Sequence, residues 1–177
     1  MFKLFMHKQN IINCVKNNDS VVGLLFLNSI YMKKIIIFDF NRTLYDPDNN
    51  CLIFGARFVL RVLVRRGFLL YVVSSARQSR RQCIDDLGIG QYFAQIIITK
   101  EKCKKDFQKI IAREVIGRNL SFVIGDRVRK EISIGNALGM QTIWVKAGKF
   151  SHEEPRKKIE QPTYIVRTLR DILSVAY

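Results

Sequence analysis

The chain has 177 residues, enough for one domain with a well-buried core, and its 48% apolar content argues against wholesale disorder. Its 30 Lys and Arg against 15 Asp and Glu give a net charge of +15, a field that attracts phosphorylated small molecules, anionic macromolecules and nucleic acid. Cys14, Cys51, Cys83 and Cys103 form no C-x-x-C pair and His7 lies far from His152, which argues against zinc and fits a reducing, cytoplasmic setting.

Residues 1–31 carry Asn and Lys without clear periodicity. The apolar run 21–30 is broken by Asn28, is too short to span a bilayer and lacks a small-x-small cleavage pattern, so no membrane association is expected. Residues 1–31 are read as an extension, either loosely attached or a start assigned too far upstream, and residues 32–177 as the domain.

Five near-continuous apolar runs follow, at 34–39, 69–74, 95–99, 121–126 and 141–145, rich in Ile, Val and Phe. Strands buried on both faces of a parallel sheet read this way. Helical spacing fills 54–66, 78–87, 104–116 and 128–138, and Arg66-Gly67 and Leu87-Gly88 look like helix ends. Alternating strand and helix predicts an α/β fold, closed by a short strand at 163–166 and a helix at 169–175.

Two strands end in acids: IIIFDFNRTLYD at Asp39, and SFVIGDRVRKE at Gly125-Asp126. Ligands of open parallel sheets sit outside the carboxyl ends of strands. Two carboxylates meeting there repel unless a cation joins them, and oxygen ligands suit Mg²⁺. Either acid alone could equally be a helix N-cap. Ser74 and Ser75 close the second strand, where hydroxyls and helix amides could cradle a phosphate. Lys102, Lys104 and Lys105 follow the third strand, and one of them could neutralise phosphate charge.

The order Asp39-x-Asn41-x-Thr43, Ser74, Lys102 and Gly125-Asp126-(x)4-Glu131 resembles the four motifs of the haloacid-dehalogenase (HAD) superfamily over about residues 32–150. The resemblance implies a Rossmann-like three-layer sandwich with a five-stranded parallel sheet in the order 5-4-1-2-3. It implies Asp39 as nucleophile forming an aspartyl-phosphate, Ser74 on the transferring phosphoryl group and Lys102 steadying both. Lys102 is preferred to Lys104 and Lys105 because its spacing to Phe107 resembles the family's K-x-x-x-x-F pattern. Mg²⁺ would be held by Asp39, Asp126 and the carbonyl of Asn41. Glu131 would act behind them, through water or Lys102, with Thr43 also in support.

One position departs from the family. Most HAD phosphatases carry Asp where this chain has Asn41, and an amide cannot shuttle a proton near neutral pH. General acid–base catalysis is worth about 10²–10⁴-fold, so turnover is expected to be slow or confined to acidic leaving groups. Tyr45, Asp46 and Asp48 are close enough in sequence to be considered as substitutes, and Arg42 replaces the commoner Gly. Three readings stay open: a slow or specialised Mg²⁺-dependent phosphohydrolase, a phosphate-binding module without turnover, and a basic domain acting on nucleic-acid ends. The short spans 46–78 and 78–102 leave no room for a separate cap domain, which predicts an open site. Arg77, Arg80, Arg81, Arg127, Arg129 and Lys130 are expected to make its edge cationic.

Overall fold

The computed structural model describes residues 33–75, 79–114 and 120–177. The reading of residues 1–31 as an extension therefore lies outside the described residues, as does Arg77. Lys33–Tyr177 forms one compact unit.

The strands form where the apolar runs predict them: β1 Ile35–Phe38, β4 Leu69–Ser75, β5 Phe93–Thr99, β6 Phe122–Gly125 and β7 Gln141–Val145. The two-residue strands β2 Tyr45–Asp46 and β3 Cys51–Leu52 make a separate antiparallel hairpin. The expected five strands become six, because β8, Tyr164–Val166, adds in parallel to the edge of β7. The sheet order is β5-β4-β1-β6-β7-β8. The five predicted strands thus keep their expected order, and the correction is one edge strand.

Side chains alternate across the sheet, so each strand feeds two cores. Ile36, Phe38, Leu70, Val72 and Ile124 pack on one face with Val59, Leu60 and Leu63 of α1, Ala56–Arg65. Ile84 of α2, Arg80–Asp86, and Ile172 of α5, Ile172–Val175, join that face. Ile35, Ile37, Tyr71, Val73 and Val123 pack on the other with Phe107 and Ile110 of α3, Lys104–Ile111. This three-layer arrangement explains the unbroken apolar runs, since neither face of the central strands meets water.

α1 stops at Arg66-Gly67 as its sequence predicts. Gly67 takes φ +83°, and the N–H of Phe68 donates to Leu63 O at 3.1 Å, satisfying a terminal carbonyl. The predicted helix at 128–138 is instead a π-helical turn, Val128–Ile132, leading into α4, Ser133–Ala137. Among the described residues only the β2–β3 hairpin and α1 lie between β1 and β4, and α2 and one short turn between β4 and β5. No separate cap domain is formed there.

α4 packs closely on the sheet through Gly135. A Cβ at that position would stand 2.6 Å from Thr142 Cγ2 and 2.8 Å from Val123 Cβ. Gly135→Val is expected to destabilise the protein by about 1–3 kcal/mol or more, because overpacking outweighs the small gain in helix propensity over glycine. Urea denaturation of the two proteins measures it, and an unchanged midpoint would refute the close packing.

Candidate active site

The register of β1 sets the site. Phe38 pairs with Val72 on one side and Ile124 on the other, so Asp39, Ser74 and Asp126 emerge together at the carboxyl edge of three adjacent strands. The backbone N–H of Asp39 donates to Ile124 O at 2.8 Å, continuing the ladder one residue beyond β1. Trp144 Nε1 donates to the backbone carbonyl of Asp126 at 2.9 Å, fixing the residue from the neighbouring strand.

Asp39, Asp126 and Glu131 each place a carboxylate oxygen within 4.8 Å of the others. All three are buried, at 5%, 2% and 0% exposure. Glu131 reaches this cluster through the π-helical turn, whose wide bond runs from Ile132 N to Arg127 O at 3.4 Å. It lies against Gly125, where a Cβ would stand 2.6 Å from Glu131 Cβ. The glycine before Asp126 is thus required by the acid five residues after it.

One ammonium stands among these acids. Lys102 Nζ donates to Asp39 Oδ1 at 2.6 Å and to Glu131 Oε1, with only 6% of its side chain exposed. Two contacts hold it there. Ser75 Oγ accepts from the backbone N–H of Lys102 at 3.1 Å, and Asp106 Oδ2 accepts from the N–H of Cys103 at 3.0 Å at the start of α3. Lys104 and Lys105 are exposed, whereas Phe107 is fully buried. Among the three lysines left open by the sequence, Lys102 is the one brought to the acids.

Burial pushes the Asp126 carboxyl up to about 8, with the charges of Asp39 and Glu131 adding to it and Lys102 opposing. Burial, then Asp39, also raises Glu131. Burial alone would lower Lys102, but Asp39 and Glu131 outweigh it and hold the ammonium charged. Three carboxylates with one cation are two positive charges short of balance, and one short when Asp126 keeps its proton. Glu131 Oε2, Asn41 Oδ1, Thr43 Oγ1 and Ser74 Oγ are also buried without hydrogen-bond partners. An acidic, oxygen-only donor set with unsatisfied acceptors fits a hard divalent cation.

These groups border a cavity of about 180 Å³. Asp39, Asn41, Ser75, Lys102, Asp126 and Glu131 line it, while Ser74 and Thr43 are fully buried and are not among its lining residues. Glu131 belongs to the acid cluster itself, where the sequence led us to expect it one step removed. The substitutes considered for Asn41 do not reach the cavity. Tyr45 is stacked on Phe40 and donates to Asn50 Oδ1; Asp46 accepts from the N–H of Asp48 at 2.9 Å; Asp48 is exposed. Arg42, Arg127, Lys130 and Phe150 complete the lining. The sequence gives Arg127 and Lys130 as edge residues and singles out Arg42 only as a replacement for the commoner Gly, and nothing in it points to Phe150. Arg80 instead lies over the Phe40 ring at 4.8 Å, and Arg129 is exposed, so neither lines the cavity.

A HAD-hydrolase-like family model matches residues 102–172. A glyceraldehyde 3-phosphate phosphatase of Methanopyrus kandleri is 28% identical over 122 residues, covering 66% of this chain and 52% of that protein. A pyrimidine 5'-nucleotidase of Streptococcus pneumoniae is 29% identical over 128 residues, covering 67% and 52%. The chain therefore spans about half the length of the curated relatives it matches. A HAD-hydrolase of Bacillus subtilis, YfnB, solved with bound magnesium, superposes with a TM-score of 0.68 at 15% identity, over 82% of this chain and 99% of that one. A 2-haloacid dehalogenase of Pseudomonas syringae does so with a TM-score of 0.63 at 14% identity, over 81% and 98%. With the motifs in order along the chain and their residues gathered at one sheet edge, the chain is similar to HAD-superfamily hydrolases in its family-model match, its curated phosphatase relatives and its fold.

Proposed function

We propose that this protein is a Mg²⁺-dependent phosphohydrolase of phosphorylated, anionic substrates, working through an aspartyl-phosphate at Asp39. The observation that carries the reading is the pairing of Lys102 with both Asp39 and Glu131 inside a cluster completed by Asp126. A carboxylate attacks phosphorus only when the negative charge of the phosphoryl oxygens is compensated. Mg²⁺ held by Asp39 and Asp126, with Glu131 and the Asn41 carbonyl in support, would supply that compensation. Lys102 orients the Asp39 carboxylate and keeps a positive charge beside the incoming phosphoryl group. The hydroxyls of Ser74 and Ser75, at the end of β4, would bind its oxygens. Water then attacks the phosphorus of the aspartyl-phosphate and restores the carboxylate.

The net charge of +15 supports an anionic partner, nucleic acid included, and the exposed unpaired thiols of Cys51 and Cys103 support a reducing compartment such as the cytoplasm. Among the described residues no helix is long and apolar enough to cross a membrane. One observation favours the second reading, a phosphate-binding module with impaired turnover. Among the described residues no His or Tyr lines the cavity, and Asn41 stands where a proton donor would be needed.

The first test is phosphate release from acetyl phosphate with Mg²⁺. Release is expected from the natural protein and loss of at least about 10³-fold from Asp39→Asn, which removes the nucleophile. No release, with a gain of about 10²-fold or more in Asn41→Asp, would favour the binding module instead.

The second test is thermal. In metal-free protein the folded state keeps a proton on Asp126 that the unfolded state releases between the ordinary carboxyl range and about 8. Stability must then fall as pH rises through that window. Mg²⁺ replaces the proton, so the rise in Tm on adding Mg²⁺ is expected to be larger above roughly pH 8 than near pH 6. Asp126→Asn should abolish most of that difference, and an equal Mg²⁺ effect in the variant would refute the metal assignment.

A further inference from the structure

The same cavity carries a second, oppositely charged wall. Arg42 directly follows Asn41 and Arg127 directly follows Asp126, so each arginine leaves the chain beside a residue that lines the cavity. Both guanidiniums lie over one ring, that of Phe150, with centroid distances of 5.9 Å for Arg42 and 4.4 Å for Arg127. The Nε atoms of both are buried and have no hydrogen-bond partner among the described residues. Each guanidinium also has one carboxylate neighbour through its Nη2 atom, Arg42 with the 76% exposed Asp48 at 3.5 Å and Arg127 with the buried side chain of Glu153 at 3.6 Å. Lys130 has no ion pair among the described residues.

Arg42 stands at φ +59°. That left-handed conformation costs a non-glycine residue about 1–2 kcal/mol. A side chain held there against backbone preference, on a cavity wall with unsatisfied donors, is suited to a ligand that its charge recognises. Guanidinium donors match phosphate oxygens in fork geometry. The cavity, at about 180 Å³, equals about six waters of liquid, more than one phosphate group of about five heavy atoms requires.

The leaving group is where this wall and Asn41 meet. With no proton donor beside it, an alcohol would have to depart as alkoxide, a base comparable to hydroxide, whose conjugate acid has a pKa of about 15.7. A phosphomonoester dianion, with a second pKa of about 6, needs no proton. What it needs is compensation of its growing negative charge, which fixed cations supply.

We propose that the leaving group is itself a phosphate: the cavity takes a phosphoanhydride of the nucleoside diphosphate type, with Asp39 at the terminal phosphorus and Arg42, Arg127 and Lys130 around the departing phosphomonoester. The inference rests on the phosphohydrolase reading and narrows its substrate. In the first step an Asp39 oxygen bonds to the terminal phosphorus, and the bond from that phosphorus to the bridging oxygen breaks. The electron pair stays on the bridging oxygen, so a trianionic diphosphate and the carboxylate become an aspartyl-phosphate dianion and a phosphomonoester dianion. In the second step water adds its oxygen to phosphorus and its second proton to a phosphoryl oxygen, giving dihydrogen phosphate and the free carboxylate.

The experiment compares phosphate release with Mg²⁺ from ADP, glycerol 3-phosphate and acetyl phosphate. For the natural protein kcat/KM for ADP is expected to exceed that for glycerol 3-phosphate by about 10²-fold or more, the span that a proton donor commonly supplies. Arg127→Ala should lower the ratio of ADP to acetyl phosphate turnover at least about tenfold and weaken inhibition by AMP, the departing half. Arg42→Gly gives a second reading free of misfolding, because glycine relieves the positive φ; the same fall in ratio is expected with an unchanged or raised Tm. Acetyl phosphate turnover with ADP no better than glycerol 3-phosphate, or ratios unmoved in both variants, overturns the inference alone. No release from any of the three overturns the phosphohydrolase reading and the inference with it.

Discussion

Three carboxyl groups buried within 4.8 Å of one another repel when ionised and need a proton or another positive charge among them. The structure depends on one ammonium, that of Lys102, bonded to Asp39 and Glu131. Breaking a buried pair of this kind by removing one partner commonly costs about 3–5 kcal/mol, because the other charge is left uncompensated. The surrounding elements serve this contact. Parallel pairing of β1 with β6 brings two acids to one edge, the π-helical turn returns the third, and Ser75 and Asp106 fix the backbone from which Lys102 extends.

Much of this was legible in the chain because its physical cause is local. β1, β4, β6 and β7 are covered on both faces, so each appears as an unbroken apolar run, and the acids follow directly where a run ends. β8 was legible as a strand, but its pattern, with only Val166 buried, does not announce a place in the main sheet. The two-residue strands of the hairpin are too short for any period to register. The π-helical turn was illegible for a different reason. Val128 with Ile132, and Ile134 with Leu138, each satisfy helical i,i+4 spacing, and one extra residue in the turn is hard to see in so short a pattern.

The cationic wall was legible only in pieces. Arg42 sits where the resembling family prefers glycine, and the positive φ found there is the physical reason for that preference. Its meeting with Arg127 over Phe150 depends on the course of three separate loops, which no local rule predicts. The site therefore divides into two halves of different origin. The acidic half is written at strand ends and follows the motifs that resemble the HAD superfamily, and the basic half arises from the loops that carry Arg42, Arg127 and Phe150. Asn41 lies between them, and its neutrality makes the second half chemically relevant to the first.

The π-helical turn at Val128–Ile132 carries one consequence for how this chain can vary. An α-helix advances about 100° per residue, so removing a single residue here would convert the wide turn to ordinary winding and swing Glu131 away from Gly125 and Lys102. Exchanging the exposed Arg129 for another side chain leaves that geometry untouched. Through these five positions the count of residues is fixed more strictly than their chemistry, so a one-codon deletion should do more harm than most missense changes.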